Sequence, residues 1–254
     1  AARALIGEDA GVLAEPNDIL GVEYCKALLQ SDSTITPLAM ERRAVGHNEG
    51  AAGGFASASY IRALLAGGED ASAFLTAESA AIYARECAAG RAPVTMKGAE
   101  RAMLSRLRML EEADFARYDS GGEGLYRRFY AAVRTAASVD ELLGTVKTKR
   151  YAYARLRRML LAAYLDIAAA ELPQEIPYLR VLACNERGRM LLRAIKNEGS
   201  APVLTKSADV RSLSEEAQRL FALSARACDQ YVLAYPELRA AKGGGAWTQG
   251  PVIV

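Results

Sequence analysis

From Asp70 to about residue 170, apolar residues recur at helical spacing almost without interruption. Ala and Leu supply most of these positions, and a recurrence every three or four residues is typical of amphipathic helices. Helices are predicted near residues 70–89, 97–113, 122–135, 138–143 and 147–170. The pattern therefore predicts a mainly α chain, and 254 residues are enough for one or two domains.

The segment before this helical region is mixed. The stretch EPNDILGVEYCKALLQ predicts a helix with Asn17 as its N-cap. Ile35–Glu41 predicts a short strand, which Pro37 restricts to the edge of a sheet or to the beginning of the strand. A further helix is predicted after Ser57 or Ser59, and a pair of glycines ends it.

A compact β-α-β element is predicted after the helical region. YLRVLACN predicts a buried strand, ERGRMLLRAIKNEG a helix that ends at Gly199, and APVLTK a second short strand. The element contains no glycine pattern of a phosphate-binding loop. A last helix is predicted over 212–235, and the glycine-rich tail 241–254 is predicted to be flexible, with Val252 to Val254 docking.

Charge and cysteine content exclude several classes of protein. The net charge of +2 is too small to indicate nucleic-acid binding by the chain as a whole, so any basic surface must be local. Four cysteines lie far apart without a Cys-x-x-Cys pair, which argues against a zinc site and a disulfide scaffold. The sequence shows no signal peptide and no apolar run near the ~18 residues of a membrane span. A cytoplasmic protein without a metal site is therefore predicted.

A serine-rich turn, SASYIR, opens the helix predicted after Ser57 or Ser59. The first turn of a helix normally favours acidic side chains, because its free backbone N–H groups carry partial positive charge. Here the turn carries Arg62 and no acid. The serine hydroxyls, the free N–H groups and Arg62 together predict a phosphate site. A plain serine cap beside a surface arginine is the alternative that these six residues leave open.

Two adjacent arginines follow the predicted strand Ile35–Glu41. Strand ends in open α/β sheets face the ligand crevice, and neighbouring side chains point to opposite faces. One of Arg42 and Arg43 is therefore expected to reach a nucleotide, and a solvated pair is the alternative. The only histidine, His47, follows in a small-residue loop and is more typical of an incidental residue than of a catalytic one.

The segment KTKRYAYARLRRML is strongly basic. Half of residues 147–158 are Lys or Arg, and two tyrosines are interleaved with them. On a helix, three of the arginines share one broad face, and such a stripe with aromatics suits RNA phosphates with an unstacked base nearby. The residues predicted to contact RNA are Lys147, Lys149, Arg150, Tyr151, Arg155, Arg157 and Arg158. A solvated face whose arginines pair with acidic side chains is the alternative.

Five motifs, taken in order, resemble those of the tRNA(Met) cytidine acetate ligase family of the nucleotidyltransferase superfamily. They are PNDILGVEYCKAL, TPLAMERRAVGH, FASASYIR, KTKRYAYARLRRMLL and PYLRVLACNERGRMLL. The resemblance extends from about Asn17 to Leu233. It implies the C-terminal part of a Rossmann-like nucleotidyltransferase domain over 1–68, a mostly helical tRNA-binding region over 69–240, and the tail 241–254.

The resemblance also implies an activity. Members of this family activate acetate with ATP as acetyl-adenylate. They then pass the acetyl group to the exocyclic amine of the wobble cytidine in elongator tRNA(Met), which gives N4-acetylcytidine. ATP with Mg²⁺, acetate and tRNA are the implied substrates, and no prosthetic group is expected. The residues matched to ATP contacts are Asn17, Arg42 or its neighbour Arg43, Ser57, Ser59 and Arg62.

The chain departs from the family pattern in two places. The first signature of the superfamily is a His-x-Gly-His turn near the N-terminus, and a chain with one histidine cannot contain it. Gly46 precedes His47 where an aromatic residue is expected. This chain alone is therefore expected to be inactive and to bind ATP weakly. It is also expected to self-associate through the apolar face that an absent segment would cover.

Two other functions stay open. Another nucleotidyltransferase of the superfamily, making a dinucleotide cofactor or an activated alcohol, would share the serine-rich turn. It would not need the long helical region with its basic segment. A non-enzymatic RNA-binding or scaffolding helical domain would explain the basic segment, but would leave SASYIR and the paired arginines as coincidences.

Overall fold

The computed structural model describes residues 7–13, 16–40, 50–119 and 121–254. The chain divides into two compact units, one up to Ala81 and the other from Ile82. Helices predominate and each strand is two residues long, so the prediction of a mainly α chain is confirmed. Among the described residues, no helix has both the length and the apolar character needed to cross a membrane.

The described part of the unit up to Ala81 contains two helices, one hairpin and the start of a third helix. These elements are α1 (Pro16–Gln30), β1 (Ala51–Ala52), β2 (Phe55–Ala56), α2 (Ala58–Gly67) and the first turn of α3 (Ala77–Ala88). Short 3-10 turns occupy Gly7–Leu13 and Ser72–Phe74.

The hairpin fixes the point at which α2 begins. β1 and β2 are antiparallel, and Gly53 and Gly54 join them with φ of 57° and 81°. A two-residue turn with positive φ at both positions matches the twist of the strands, and glycine adopts it without strain. Ser57 follows β2 directly, and its backbone N–H donates to the carbonyl oxygen of Gly50 at 3.2 Å. The helix starts at the next residue.

The start of α1 differs from the prediction. The helix begins at Pro16, so Asn17 lies inside its first turn and is not the N-cap. Proline suits the first helical position because its missing N–H would have no partner there.

The strand predicted over Ile35–Glu41 is wrong for the part that the structure describes, which ends at Met40. Pro37 cannot donate to a sheet, and no described strand pairs with this segment. The side chains of Leu38 and Met40 are 89% and 87% exposed. Residues 41–49 lie outside the described residues, so the predictions for Arg42, Arg43 and His47 do too.

The unit up to Ala81 buries very little of its apolar surface. Among its described residues, only Ser57 and Ala71 are buried. Large apolar side chains are exposed along α1 and the segment after it, including Leu20, Leu29 and Leu38. Exposed apolar surface of this kind is typical of an interaction face.

The unit from Ile82 holds most of the helices. After the remainder of α3 come α4 (Glu100–Arg108), α5 (Glu112–Ala116), α6 (Leu125–Thr135), α7 (Val139–Val146) and α8 (Tyr153–Leu165). The later elements are β3 (Leu179–Arg180), β4 (Ala183–Cys184), α9 (Glu186–Glu198), β5 (Val203–Leu204), α10 (Glu215–Tyr231), α11 (Gly245–Thr248) and β6 (Val252–Ile253).

Helices α4 to α8 together form the main core. Helix α6 contributes Leu125, Phe129, Ala132 and Val133, whose spacing places them on one face. Helix α7 contributes four apolar residues at the same kind of spacing, and α8 contributes five. The periodicity that predicted the helices is therefore the periodicity that builds this core.

Several helices are shorter than predicted, whereas α7, predicted over 138–143, extends to Val146. The segment predicted as one helix over 97–113 is two, and a capping box between Glu111 and Asp114 starts the second. The helix predicted over 147–170 covers only Tyr153–Leu165, since Lys147 caps the end of α7. Asp166 then ends α8 in the left-handed conformation with φ of 57°.

The β-α-β element is built from very short parallel strand pairs. β3 pairs with β5 and β4 pairs with β6, both in parallel. The strand predicted as buried is two strands separated by Val181 and Leu182, and Leu182 is 72% exposed, so the prediction of burial is wrong. The glycine-rich tail takes part in this element through α11 and β6, and Ala246 is buried against Phe221 and its neighbours.

Candidate functional site

The serine-rich turn has the N-terminal geometry that its sequence predicts. Ser57 is buried, and its hydroxyl oxygen accepts from the backbone N–H of Tyr60 at 3.2 Å. Ser57 is therefore the N-cap of α2, and no acidic residue occupies the first turn. At its other end, the helix closes on Gly68, which has φ of 77° and donates to Leu65.

Ser59 and Arg62 lie together on the exposed side of this turn. A guanidinium nitrogen of Arg62 donates to the hydroxyl oxygen of Ser59 at 3.4 Å, and both residues are exposed. Arg62 forms no ion pair with any carboxylate among the described residues. The contact leaves most donors of Arg62 free, because a guanidinium carries five N–H groups. Hydroxyl and guanidinium donors next to a helix N-terminus are suited to an oxyanion such as phosphate.

Asn17 is the remaining described residue predicted to contact ATP. It lies exposed in the first turn of α1. No hydrogen bond within the described residues joins its side chain to Ser57, Ser59 or Arg62. The structure thus brings Ser59 and Arg62 together, with Ser57 as the residue that fixes their helix.

The basic segment divides into paired and unpaired cations. Arg150 lies 2.9 Å from Glu123, and Arg155 bridges Glu123 at 3.0 Å and Asp119 at 3.2 Å. These contacts lower the pKa of Glu123 below its ordinary value, chiefly through the hydrogen bond from Arg150. The alternative of arginines paired with acids therefore describes these two residues.

Arg155 is held more firmly than a surface arginine. The Asp119 side chain is only 2% exposed, and it also accepts from the backbone N–H groups of Gly121 and Tyr126. A Cβ on Gly121 would lie 1.9 Å from a guanidinium nitrogen of Arg155, so the absence of a side chain there lets Arg155 reach Asp119. Hydrogen bonding, first to Glu123, raises the pKa of Arg155 above its ordinary value.

The two tyrosines of the segment have opposite environments. Tyr151, which was predicted to contact RNA, is 5% exposed and packs in the main core, with Arg150 and Arg155 over its ring. Tyr153 is 45% exposed and has Lys147 and Arg157 within 5.4 and 5.8 Å of its ring centroid. Tyr153 is therefore the tyrosine whose ring a ligand can reach. Tyr153 was not among the residues predicted to contact RNA, because spacing alone does not tell which tyrosine turns inward.

Four cations of the segment remain without a carboxylate partner in the part of the chain that the structure describes. They are Lys147, Lys149, Arg157 and Arg158. Lys149, Arg157 and Arg158 are exposed, and Lys147 donates to the carbonyl oxygen of Thr148 at 2.6 Å. Lys147 and Arg157 lie over the ring of Tyr153, and Lys149 and Arg158 are the other two cations of this group at the start of α8. We call these five residues the α8 basic surface.

An ionic cluster at the end of α8 was not predicted from the sequence. The Asp166 carboxylate accepts from the hydroxyl of Tyr118 at 2.6 Å and lies within 4.0 Å of Arg117 and Arg106. Arg226 on α10 donates to the carbonyl oxygen of Asp166 at 3.3 Å. These contacts lower the pKa of Asp166, with the Tyr118 hydrogen bond as the largest cause, and burial followed by that bond raises the pKa of Tyr118 to about 12. The cluster joins α10 to the core.

A family model described as HIGH Nucleotidyl Transferase matches residues 1–244. The chain belongs to this family of nucleotidyltransferases. Within it, the chain is 34% identical to a protein of Fervidobacterium nodosum over 225 residues, 86% of this chain and 53% of that protein. It is 37% identical to a Kosmotoga olearia protein over 74% of this chain and 46% of that protein. Both relatives are named tRNA(Met) cytidine acetate ligase. The resemblance drawn from the five motifs is thereby confirmed.

The fold has a close counterpart among solved structures. The crystal structure of Thermotoga maritima TmcAL bound with alpha-thio ATP superposes with a TM-score of 0.89 at 25% identity. The match covers 100% of this chain and 63% of that chain. The chain spans about half the length of the curated relatives that it matches.

Proposed function

We propose that this chain is part of an ATP-dependent ligase that acetylates the wobble cytidine of elongator tRNA(Met) to N4-acetylcytidine. The observation that carries the proposal is the similarity, over most of this chain, to relatives named tRNA(Met) cytidine acetate ligase. The nucleotidyltransferase family and the structural counterpart with a bound ATP analogue support ATP as a substrate. Mg²⁺ would accompany ATP, and the protein would act in the cytoplasm.

The serine-rich turn would hold the triphosphate of ATP. Ser59 and Arg62 present a hydroxyl and a guanidinium on the same exposed side of α2, beside free first-turn N–H groups. Ser57 would act through its cap, which sets the direction of that turn. Asn17 and one of Arg42 and Arg43 would complete the ATP contacts. Residues 1–68 would form the C-terminal part of a Rossmann-like nucleotidyltransferase domain.

The chemistry explains why such donors are needed. An acetate oxygen attacks the α-phosphorus of ATP, the bond to the β-phosphate bridging oxygen breaks, and pyrophosphate leaves. Negative charge grows on the phosphate oxygens in the transition state, so fixed cationic donors contribute most there. The N4 amine of cytidine then attacks the acetyl carbonyl, AMP leaves, and the amine loses its proton. That second step needs mainly positioning of the two reactants.

The α8 basic surface would bind the tRNA. Lys149, Arg157 and Arg158 offer exposed charges without a carboxylate partner among the described residues, and Tyr153 offers a ring for an unstacked base. Arg150 and Arg155 would contribute less, because Glu123 and Asp119 already neutralise them. Within this surface, Lys147 would act mainly through its contact with the Tyr153 ring, and buried Tyr151 would support the surface from the core.

Acetate-dependent exchange of labelled pyrophosphate into ATP tests the first half of the reaction. The full-length gene product is expected to catalyse the exchange, and Arg62→Gln is expected to slow it at least about tenfold, since one charged donor to phosphate is lost. Lys26→Gln on α1 is the control, because Lys26 is exposed and, within the described part of the chain, pairs only with Glu23 at 3.5 Å. Pyrophosphate exchange that does not depend on acetate would point to another nucleotidyltransferase. Absence of exchange together with salt-dependent tRNA binding would point to an RNA-binding module.

A further inference from the structure

A small cavity lies where β3 and β5 end. Its volume is 160 Å³, and the residues that follow both strands line it together with the tail before β6. The polar groups of the lining come from Arg180, Thr205, Lys206, Ser207 and Gln249, and no acidic side chain is among the lining residues. In parallel sheets, ligands commonly bind outside the carboxyl ends of the strands.

Both cations of this cavity lack a carboxylate partner among the described residues. A guanidinium nitrogen of Arg180 donates to the carbonyl oxygen of Ala246 at 3.3 Å, and the group lies 5.1 Å from the ring centroid of Phe221. These two contacts orient Arg180 and leave most of its N–H donors unused. Lys206 is exposed and belongs to the same lining. Two positive charges that face one small space favour an anion.

The wall behind the cations is well packed. Phe221 is 1% exposed and packs against Trp247 with ring centroids 4.7 Å apart. The Ser207 hydroxyl donates to the carbonyl oxygen of Trp247. Because Trp247 is the only tryptophan of the chain, its fluorescence reports on this wall alone.

We propose that this cavity binds a phosphate group. A cavity of about 150 Å³ holds a molecule the size of benzene, so this space has room for one tetrahedral oxyanion. Arginine, lysine and hydroxyl donors are the side chains that most often contact nucleic-acid phosphates. The phosphate comes from the tRNA backbone, a source that rests on the proposed function. Free phosphate is the other source of the same chemistry.

Titration of Trp247 fluorescence with inorganic phosphate tests the site in the whole chain. Phosphate is expected to give a saturable change that chloride and acetate at equal ionic strength do not give. Lys206→Gln is expected to raise the half-saturating concentration about tenfold, because a charge-assisted hydrogen bond is lost. Lys196→Gln on α9 removes an equal charge away from the lining and should leave it unchanged. Equal responses to the three salts, or equal half-saturation in both variants, would overturn the site.

Competition with bulk tRNA distinguishes the two sources. If the backbone supplies the phosphate, tRNA raises the half-saturating phosphate concentration in wild-type protein, and Lys206→Gln binds tRNA more weakly than Lys196→Gln does. Phosphate binding that tRNA leaves unchanged would overturn the RNA source and leave a site for free phosphate. Pyrophosphate exchange is measured separately, so its absence would refute the proposed ligase without altering the phosphate titration.

Discussion

Arg155 and Arg158 are close in sequence and both were predicted to contact RNA, but the structure places them in different environments. Arg158 is exposed and has no carboxylate partner among the described residues, whereas Arg155 bridges Asp119 and Glu123. We therefore expect Arg155→Gln to lower stability and Arg158→Gln to lower RNA affinity.

The loss of stability in Arg155→Gln can be calculated from the hydrogen bonds that the Asp119 carboxylate keeps. The Asp119 side chain is 2% exposed. Without Arg155 its donors among the described residues are the backbone N–H groups of Gly121 and Tyr126, both at 3.3 Å. A buried acceptor that loses one partner costs about 1–3 kcal/mol in the free energy of unfolding. Glu123 adds little, because it is partly exposed and keeps Arg150. At ~2–4 °C per kcal/mol for a unit of this size, Tm should fall by about 2–12 °C.

Circular dichroism melts and salt-dependent tRNA binding together separate the two roles. Arg158→Gln should leave Tm nearly unchanged and reduce the slope of log affinity against log salt by about 1. Arg155→Gln should lower Tm and leave that slope nearly unchanged. An unchanged Tm in Arg155→Gln, with a loss of slope equal to that of Arg158→Gln, would refute the division into paired and unpaired cations.

Three further predictions concern the cap of α2, the Asp166 cluster and the exposed apolar face. Ser57→Ala removes the N-cap and should destabilise α2 by about 1 kcal/mol, seen as faster amide exchange over 58–67; unchanged exchange would contradict the cap. The contacts of the Asp166 carboxylate lower its pKa. The stabilisation of the fold by this carboxylate is therefore present above about pH 4 and is lost as pH falls through the lowered pKa. Asp166→Asn, which tolerates the left-handed backbone, should therefore be less stable than wild type to urea at neutral pH, with a gap that narrows below about pH 4; a constant gap would exclude the carboxylate as its cause. If the chain self-associates through the face of α1, Leu29→Gln should raise the monomer fraction in sedimentation, while Leu238→Gln, also over 80% exposed, should not; equal shifts would contradict that interface.

Much of the helical core could be predicted because its helices repeat apolar residues at helical spacing. Leu156, Met159 and Leu160 face inward in α8 as that spacing indicates. The breaks were less predictable, since they depend on local side-chain contacts such as the Glu111–Asp114 capping box. The strand predicted over Ile35–Glu41 rested on β-branched and apolar residues, but a strand also needs a neighbour to pair with.

In the candidate site, too, local features could be predicted from the sequence and long-range ones could not. The cap at Ser57 and the proximity of Ser59 to Arg62 follow from helix geometry, which the sequence specifies directly. The pairing of Arg155 with Asp119 spans 36 positions, so only the tertiary structure brings the two together. Burial likewise distinguishes Tyr151 from Tyr153, although both stand in the same basic segment. Long-range partners and burial were the two properties that local patterns did not contain.

Nucleoside analysis after reaction with labelled acetate tests the proposed ligase most directly. The full-length gene product and this chain alone would each be incubated with ATP, Mg²⁺, labelled acetate and bulk tRNA, and the digested nucleosides identified by mass spectrometry. The proposed function predicts labelled N4-acetylcytidine from the full-length product and none from this chain alone. Its absence from the full-length reaction would contradict the ligase, and its formation by this chain alone would contradict the prediction that the chain is inactive by itself.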